Sequence, residues 1–356
     1  MQALVGVLRG QSLESSEAET VLALASEQHV LPFVVHRLLN GPSDATLAQL
    51  QAAHRDATIA AFFWSSELRG LLRASAEAGI DVIALKGPSL AERVYGGTAL
   101  RTSHDLDLLV RKPDYAAAES LLGRLGFAPA GSTDDYHRQW RRASCTVELH
   151  FDIENPLAID FAIAGAWRNS IAATFAQQPC RLLAPADELL FLCIHGVRHR
   201  FERLSLVLDI ALALDHFTDA PLQLRPEVAN LERLLLLGVA MARHFRPDVR
   251  LPSTLSPTER DRIEALAAQL WLELTSEIPK ELDWSAQHDF FVETELTPVR
   301  RLTRRAAHLR IAATRLIDPD FAFARRFGLT RPWQAWMLRP IRLLLSRLKQ
   351  GVGNRE

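Results

Sequence analysis

Residues 79–110 read GIDVIALKGPSLAERVYGGTALRTSHDLDLLV and decide the fold that we expect. The stretch from Ile80 to Leu85 is short, apolar and rich in β-branched residues, and it runs into a Lys86-Gly87-Pro88 turn, which indicates a buried strand. A brief helix then fits residues 89–95, and the Gly96-Gly97 pair ends it. Residues 106–110 are predicted to form a second buried strand.

The chain on either side extends this pattern into a small domain. Asp114 is placed to cap a helix that ends near Gly126, and residues 136–142 and 145–153 alternate as an antiparallel hairpin through Ala143-Ser144. Helical periodicity prevails before residue 79 and again after Pro185, so we expect an α+β fold with a small mixed-sheet core between helical regions. The predicted regions are 1–78 (N-terminal helical), 79–184 (α/β core), 185–299 (helical domain) and 300–356 (basic amphipathic tail).

Composition excludes several classes of protein. With 356 residues, 48% hydrophobic and 23% charged, the chain is not globally disordered, and a net charge of −1 is not that of a nucleic-acid-binding polycation. Its three cysteines have no metal-ligand spacing and are too few for a disulfide framework. Neither a signal peptide nor an apolar stretch of membrane-spanning length is evident, so we expect a cytoplasmic protein with no membrane span.

Two aspartates stand at the start of the second predicted strand. Side chains alternate along a strand, so Asp105 and Asp107 are expected to point the same way while Leu106 and Leu108 enter the core. Adjacent carboxylates repel one another and are costly to bury, and a divalent cation removes both costs. The pattern therefore suits a nucleotide–metal site. The alternative is a pair of solvated aspartates at a strand edge.

The turn after the first strand is a candidate phosphate site. Residues 85–89, Leu-Lys-Gly-Pro-Ser, lie between a strand and a helix, where backbone N–H groups and the helix end favour an anion. Lys86 and Ser89 would add a cation and a hydroxyl. On the alternative interpretation Gly87 and Pro88 are simply a turn, and Lys86 is solvated.

A third acidic group belongs to a later strand, 146–153. There Glu148, His150 and Asp152 are expected to share one face, opposite an apolar face that includes Leu149. A third carboxylate at this place would help to bind a metal or would deprotonate an acceptor hydroxyl. Alternatively, this is an edge hairpin with its polar face in solvent.

Together, LKGPSLAERVYGGTALRTSHDLDLLV and the later VELHFDI resemble the nucleotidyltransferase superfamily with the DNA polymerase β-like catalytic core, in particular a bacterial, largely uncharacterised branch of it. The resemblance covers roughly residues 60–215, with the core at about 79–155. It implies a nucleotidyltransferase core, a nucleoside triphosphate as donor, and Mg²⁺ (or Mn²⁺) as cofactor.

The same resemblance assigns roles. It makes Asp105 and Asp107 the paired metal ligands and places Gly87 and Ser89 in the phosphate-binding turn, with Arg101 as a contact of the triphosphate. The third carboxylate is Glu148 or Asp152, and we favour Glu148. One departure is Pro88, which stands where the superfamily usually has Gly or Ser and removes a backbone donor, so that more of the phosphate contact falls to Lys86.

Further candidates for the lining of the cleft follow in the helical region. His195 and His199 are four residues apart and share a helix face, and Arg203 and Asp209 come after them. A zinc protease is excluded because Gly196 stands where its glutamate would be. Lining of the catalytic cleft and plain helix packing are equally open for these residues.

Beyond residue 300 the chain is rich in arginine and carries Trp333 and Trp336 among regularly spaced leucines, with few acids against them. This pattern is typical of an amphipathic segment that binds a partner, nucleic acid or an anionic surface. The alternative is that it docks onto its own protein with its arginines in solvent.

The sequence as a whole favours a Mg²⁺-dependent nucleotidyltransferase that binds a nucleotide such as ATP and releases pyrophosphate. Its acceptor, a small molecule, a peptide or RNA, is left open, because this core serves many acceptors. Two alternatives remain: a non-catalytic nucleotide- or peptide-binding module, and a toxin-like enzyme that modifies RNA or protein.

Overall fold

A computed structural model describes residues 1–40, 47–133, 136–154, 159–218, 223–250 and 253–276. All of them belong to one compact unit, 1–294. The predicted basic tail from residue 300 lies outside the described residues.

The N-terminal part is helical, as its periodicity predicts. Its helices are α1 (Gln2–Leu8), α2 (Ala18–Glu27), α3 (Leu31–Asn40) and α4 (Leu47–Glu77).

Among the described residues, one mixed sheet of seven strands forms the centre of the fold. Its strands are β1 (Ile83–Ala84), β2 (Leu106–Leu109), β3 (Ala128–Thr133), β4 (His137–Arg142), β5 (Cys145–His150), β6 (Ile171–Phe175) and β7 (Gln178–Leu182). The order is β3-β4-β5-β2-β1-β7-β6, and the β2–β5 and β1–β7 pairs are parallel while the others are antiparallel. Between strands lie α5 (Gly87–Leu90), which continues as a π-helical turn over Ala91–Tyr95, then α6 (Tyr115–Arg124) and α7 (Ile163–Asn169).

The predicted α+β class, the two central strands and the hairpin are confirmed. The hairpin turns between Arg142 and Cys145, as its alternation predicts. Strand β1 is much shorter than the apolar stretch that predicts it. The sequence did not predict β3, β6 and β7, because β3 contains Pro129 and Gly131, and β6 and β7 are short strands, with β6 at the edge of the sheet.

Alternation along β2 separates two apolar layers. Leu106 and Leu108 pack with α4 and α6 on one face of the sheet, in a cluster that also holds Leu68 and Leu122. Leu109 belongs to the cluster on the opposite face, and Asp107 is directed to that same face by the period of two. The site therefore opens on the side of the sheet away from α4 and α6.

The opposite face is covered by further helices: α8 (Pro185–Arg198), α9 (Leu204–His216), α10 (Glu232–Ala242) and α11 (Pro257–Ser276). Their buried side chains form one continuous cluster with those of α1, α2 and α3. Within the described ranges, no helix has both the length and the apolar character that crossing a bilayer requires.

A joint between α2 and α3 ties the N-terminal helices to α9. Helix α2 ends in a Schellman motif, in which the Val30 N–H donates to the Ala25 carbonyl and the His29 N–H donates to the Ser26 carbonyl. His29 takes the left-handed conformation, with φ 57°, that usually belongs to glycine in this motif, at a cost of about 1 kcal/mol. Beside it, the side-chain oxygen of Gln28 accepts the N–H of Leu204, the first residue of α9.

We expect Gly238→Ala to lower the free energy of unfolding by about 1–3 kcal/mol. A Cβ at Gly238 in α10 would lie 2.3 Å from the Cys193 Sγ of α8, so the two helices would have to separate. Gly70→Ala in α4 is the matched control, because a Cβ there meets nothing within 4 Å. It should be neutral or stabilising by up to about 1 kcal/mol. Urea unfolding of both variants measures the difference, and equal stabilities would contradict the close packing of α8 on α10.

Candidate active site

Two carboxylates meet where β2 and β5 lie side by side. In the parallel register Asp107 is paired with Glu148, and the period of two directs both side chains to the face that α8 covers. Asp107 is 4% exposed and therefore buried. Buried carboxylates at neighbouring positions must be compensated by positive charge or hydrogen bonds.

Strands β4 and β5 supply part of that compensation. His150 Nε2 lies 3.3 Å from Asp107 Oδ1 and 3.5 Å from Glu148 Oε2. Its ring stacks on that of His137, with centroids 4.9 Å apart, because the hairpin places the two residues opposite each other. Gln139, paired with Glu148 across the same hairpin, donates from Nε2 to Glu148 Oε1 at 2.8 Å.

Lys86 supplies a second positive charge. It follows β1, and its Nζ lies 3.2 Å from Asp107 Oδ2. The next residue, Gly87, has φ 63°, and a Cβ there would lie 3.6 Å from the carbonyl oxygen of Asp105. This close approach brings the turn after β1 against the loop that carries Asp105, and it leaves Gly87 and Ser89 buried behind Lys86.

The ionisation of the acids follows from these neighbours. Burial and the adjacent Asp107 charge raise the pKa of Asp105 to about 7. Burial opposes the ionisation of Asp107, but Lys86 and then His150 outweigh it and hold the pKa of Asp107 below its ordinary value. Burial likewise opposes ionisation of Glu148, and the contact with His150 holds the pKa of Glu148 well below its ordinary value.

His150 responds in the opposite direction. Burial favours its neutral ring, but Asp107 and Glu148 outweigh burial and raise the pKa of His150 to about 9. At neutral pH the cluster thus pairs two carboxylates, Asp107 and Glu148, with two cations, Lys86 and His150. Asp105, with a pKa of about 7, is only partly ionised.

These residues form a donor set that fits a hard divalent cation. Asp107 and Glu148 offer the carboxylate oxygens that Mg²⁺ and Mn²⁺ prefer, and Asp105 borders the same cleft. Ligand atoms of Asp107, Glu148 and His150 lie within 4.8 Å of one another. Asp107 Oδ2 is buried and, among the described residues, accepts no hydrogen bond, with only the Lys86 ion pair to compensate it.

The cluster lies between two lobes of one cleft. Lys86, Asp105, Asp107, His195 and His199 line both lobes. The wide lobe has a volume of about 370 Å³ and extends to Arg101, Arg203 and His29. The narrow lobe has a volume of about 190 Å³ and contains Glu148, His150, Glu154 and Arg198.

Residues 14–247 match the sequence profile of a family described as uncharacterised nucleotidyltransferase. The chain belongs to this nucleotidyltransferase family.

Solved structures similar to this nucleotidyltransferase include the antibiotic-resistance factor ANT(2″)-Ia in solution, with 11% identity, a TM-score of 0.30, and 60% of this chain and 95% of that chain covered. The same factor in complex with adenylyl-2″-tobramycin has 13% identity, a TM-score of 0.36, and coverage of 49% and 97%. A nucleotidyltransferase-like antigen from Paracoccidioides brasiliensis has 18% identity, a TM-score of 0.37, and coverage of 52% and 89%. Among curated proteins, none matches this sequence.

Arg101 and Asp209 are joined to each other beneath the cleft of the nucleotidyltransferase. Arg101 Nε and Nη2 donate to the two carboxylate oxygens of Asp209, each at 2.8 Å, and Tyr95 Oη donates to Asp209 Oδ1 at 2.5 Å. Arg101 lines the wide lobe, and two of its guanidinium nitrogens bind Asp209. Its role as a contact of the triphosphate stays a prediction. Asp209 is 2% exposed. It does not line the cleft but accepts two hydrogen bonds from the Arg101 guanidinium.

Asp152 does not share the face of Glu148 and His150. Strand β5 ends at His150, so the alternation that predicted this placement stops before Asp152 is reached. Asp152 Oδ1 instead accepts the N–H of Ile153, and burial, with the charges of Asp160 and Glu154, raises the pKa of Asp152 to about 6. Of the two candidates for the third carboxylate, the structure brings Glu148 beside Asp107.

His195, His199 and Arg203 do line the cleft. The rings of His195 and His199 lie edge to face, with centroids 4.7 Å apart. Burial and the nearby Lys86 lower the pKa of His195 well below its ordinary value, so its imidazole is neutral.

Sequence reasoning missed several residues of the site, among them His29, His137 and Gln139. A signal existed for the last two, because a two-residue turn at Ala143-Ser144 pairs position 137 with 150 and position 139 with 148. No local signal places His29 in the cleft, since it arrives there through the packing of the N-terminal helices.

We expect Asp209→Asn to lower the free energy of unfolding by about 3 kcal/mol, because it leaves the Arg101 guanidinium inadequately compensated in a buried setting. Asp248→Asn is the control: Asp248 pairs with Arg246 at the surface, and its loss should leave the free energy of unfolding nearly unchanged. Urea unfolding measures both. A cost for Asp209→Asn as small as that of the control would contradict a structural role for the buried pair.

Proposed function

We propose that the protein is a metal-dependent nucleotidyltransferase that moves a nucleoside monophosphate from a nucleoside triphosphate to an acceptor. The observation that carries the proposal is the convergence of Asp105, Asp107 and Glu148 in one cleft, beside Lys86. A purely structural role does not explain three acids in one cleft, because the charge of each raises the free-energy cost of ionising the others.

Asp105, Asp107 and Glu148 would hold Mg²⁺ or Mn²⁺. A bound divalent ion supplies charge neutralisation for the triphosphate and for the developing negative charge on the leaving group. Metal binding would remove the proton that Asp105 retains near neutral pH. Lys86, which neutralises Asp107 in this structure, would then be released to contact a phosphate.

In the reaction, a nucleophilic atom of the acceptor forms a bond to the α-phosphorus, and the bond from the α-phosphorus to the bridging oxygen of the β-phosphate breaks. Pyrophosphate leaves. Glu148, which borders the narrow lobe, completes the metal site or accepts the proton of the acceptor, and that proton ends in solvent. The rest of the contribution of the chain is positioning and electrostatic stabilisation.

The acceptor is a small molecule, a peptide or RNA. Family membership does not choose among these, because function depends on the site and not on the fold.

One observation favours a second candidate, a non-catalytic nucleotide-binding protein. In this structure Lys86 and His150 already compensate Asp107, as they would in a protein that never binds a metal. The toxin-like alternative rested on the basic tail, which lies outside the described residues.

The test supplies α-labelled nucleoside triphosphates, Mg²⁺, and the small-molecule, peptide and RNA fractions of a cell extract as acceptors. We expect label transfer and pyrophosphate release to fall about 1,000-fold or more in Asp107→Asn, and to cease with EDTA, because several kcal/mol of charge stabilisation are lost. Transfer by Asp107→Asn at the wild-type rate would contradict the proposal. Nucleotide binding without pyrophosphate release from any fraction would favour the second candidate.

The third carboxylate is tested by a matched pair of variants. Glu148→Gln should lower the transfer rate about 100-fold or more, because it removes a ligand and a proton acceptor. Asp152→Asn should change that rate by less than about threefold, since Asp152 bonds to its own backbone neighbour. Isothermal titration with Mn²⁺ provides a second readout, the affinity of each variant for the metal. The reverse order of effects would transfer the role to Asp152.

A further inference from the structure

Part of the wide lobe is lined by residues for which the reaction has no evident use. Its wall brings His29, from the joint between α2 and α3, together with His104, Ser205 and Leu206. The rings of His29 and His104 lie with centroids 4.6 Å apart and planes inclined by 54°. His104 directly precedes Asp105, so this wall is continuous with the carboxylate cluster.

The two lobes differ in what they can accept. Under the proposed function, on which this inference rests, the phosphates of the donor bind at Lys86, Asp105 and Asp107, where the lobes meet. The narrow lobe has about half the volume and contains Glu148, the carboxylate that completes the metal site or accepts the proton of the acceptor, so we assign this lobe to the acceptor. The wide lobe is therefore the part of the cleft that remains for the nucleoside of the donor.

The wall of the wide lobe has the chemistry of a nucleoside subsite. A nucleobase presents two flat faces and an edge of hydrogen-bond donors and acceptors. The imidazoles of His29 and His104 and the side chain of Leu206 offer flat and apolar contact, and the hydroxyls of Thr102 and Ser205 offer hydrogen bonds.

The backbone of His29 has a left-handed conformation that residues other than glycine rarely adopt. It stands at the left-handed residue of the Schellman motif, where glycine is favoured, and the Gln28 side chain fixes the joint by its bond to Leu204. The Schellman motif itself would therefore favour glycine over histidine at residue 29. A residue held in an unfavourable conformation at the wall of a cleft points to a role in binding.

We propose that His29 and His104 form the surface on which the nucleobase of the donor packs, so that the N-terminal helices complete the nucleotide site. His29 and His104 are thus binding residues for the nucleoside part of the donor, separate from the residues that bind its phosphates.

The test compares a nonhydrolysable nucleoside triphosphate with inorganic tripolyphosphate, both with Mg²⁺, by isothermal titration to the full chain. His29→Gly should weaken binding of the nucleotide about fivefold or more, as loss of a stacking contact does, and should leave the affinity for tripolyphosphate unchanged. Its melting temperature should stay the same or rise, because glycine suits the left-handed position. His104→Ala should weaken nucleotide binding in the same way, and His54→Ala, at an exposed histidine of α4, should not.

Unchanged nucleotide affinity in both His29→Gly and His104→Ala would overturn the inference, as would an equal loss of affinity for tripolyphosphate or a lower melting temperature of His29→Gly. In these cases the proposed function still stands if the wild type binds tripolyphosphate and Asp107→Asn does not. A wild type that binds neither compound would overturn both proposals.

Discussion

Burial of like charges is the constraint on which this structure depends. Asp107 and Glu148 are register partners on adjacent parallel strands, and neither can be ionised there without a cation in contact. The chain meets this requirement from two directions: Lys86 comes from the turn after β1, and His150 from β5 itself. Asp105 is a further acid in the same cleft, and burial, together with the charge of Asp107, raises its pKa to about 7. A divalent cation would correct the imbalance.

The sheet explains why so short a motif can build such a site. Leu106 and Leu108 need the apolar layer under α4 and α6, and their burial forces Asp107 to the opposite face. Val147 and Leu149 impose the same choice on Glu148. Apolar packing on one side of the sheet thus directs the carboxylates to the other side, where α8 and the start of α9 enclose them.

This dependence also shows what could be predicted from the sequence. The two central strands and the β4–β5 hairpin have strong periodic patterns, so their faces, and with them Asp107 and Glu148, follow from local rules. The placement of Asp152 failed because periodicity does not reveal that β5 ends at His150. The partner of Arg101 lies 108 residues away in the sequence, and no pattern of spacing connects them. For the same reason His29 had no signal, since its place in the cleft results from long-range packing of helices.

The N-terminal helices consequently have a larger part than their sequence suggests. They share one apolar cluster with α8, α9, α10 and α11, and the Gln28 side chain binds the first N–H of α9. The joint at His29 is thereby held at the rim of the cleft.

The most direct test of the central claim is a crystal structure with Mn²⁺ and a nonhydrolysable nucleoside triphosphate, in which anomalous scattering locates the metal. The account requires manganese between Asp105 and Asp107, at about 2.1 Å from their oxygens, with Lys86 moved from Asp107 to a phosphate. Manganese bound elsewhere, or a nucleotide bound without metal while Lys86 remains on Asp107, would contradict it.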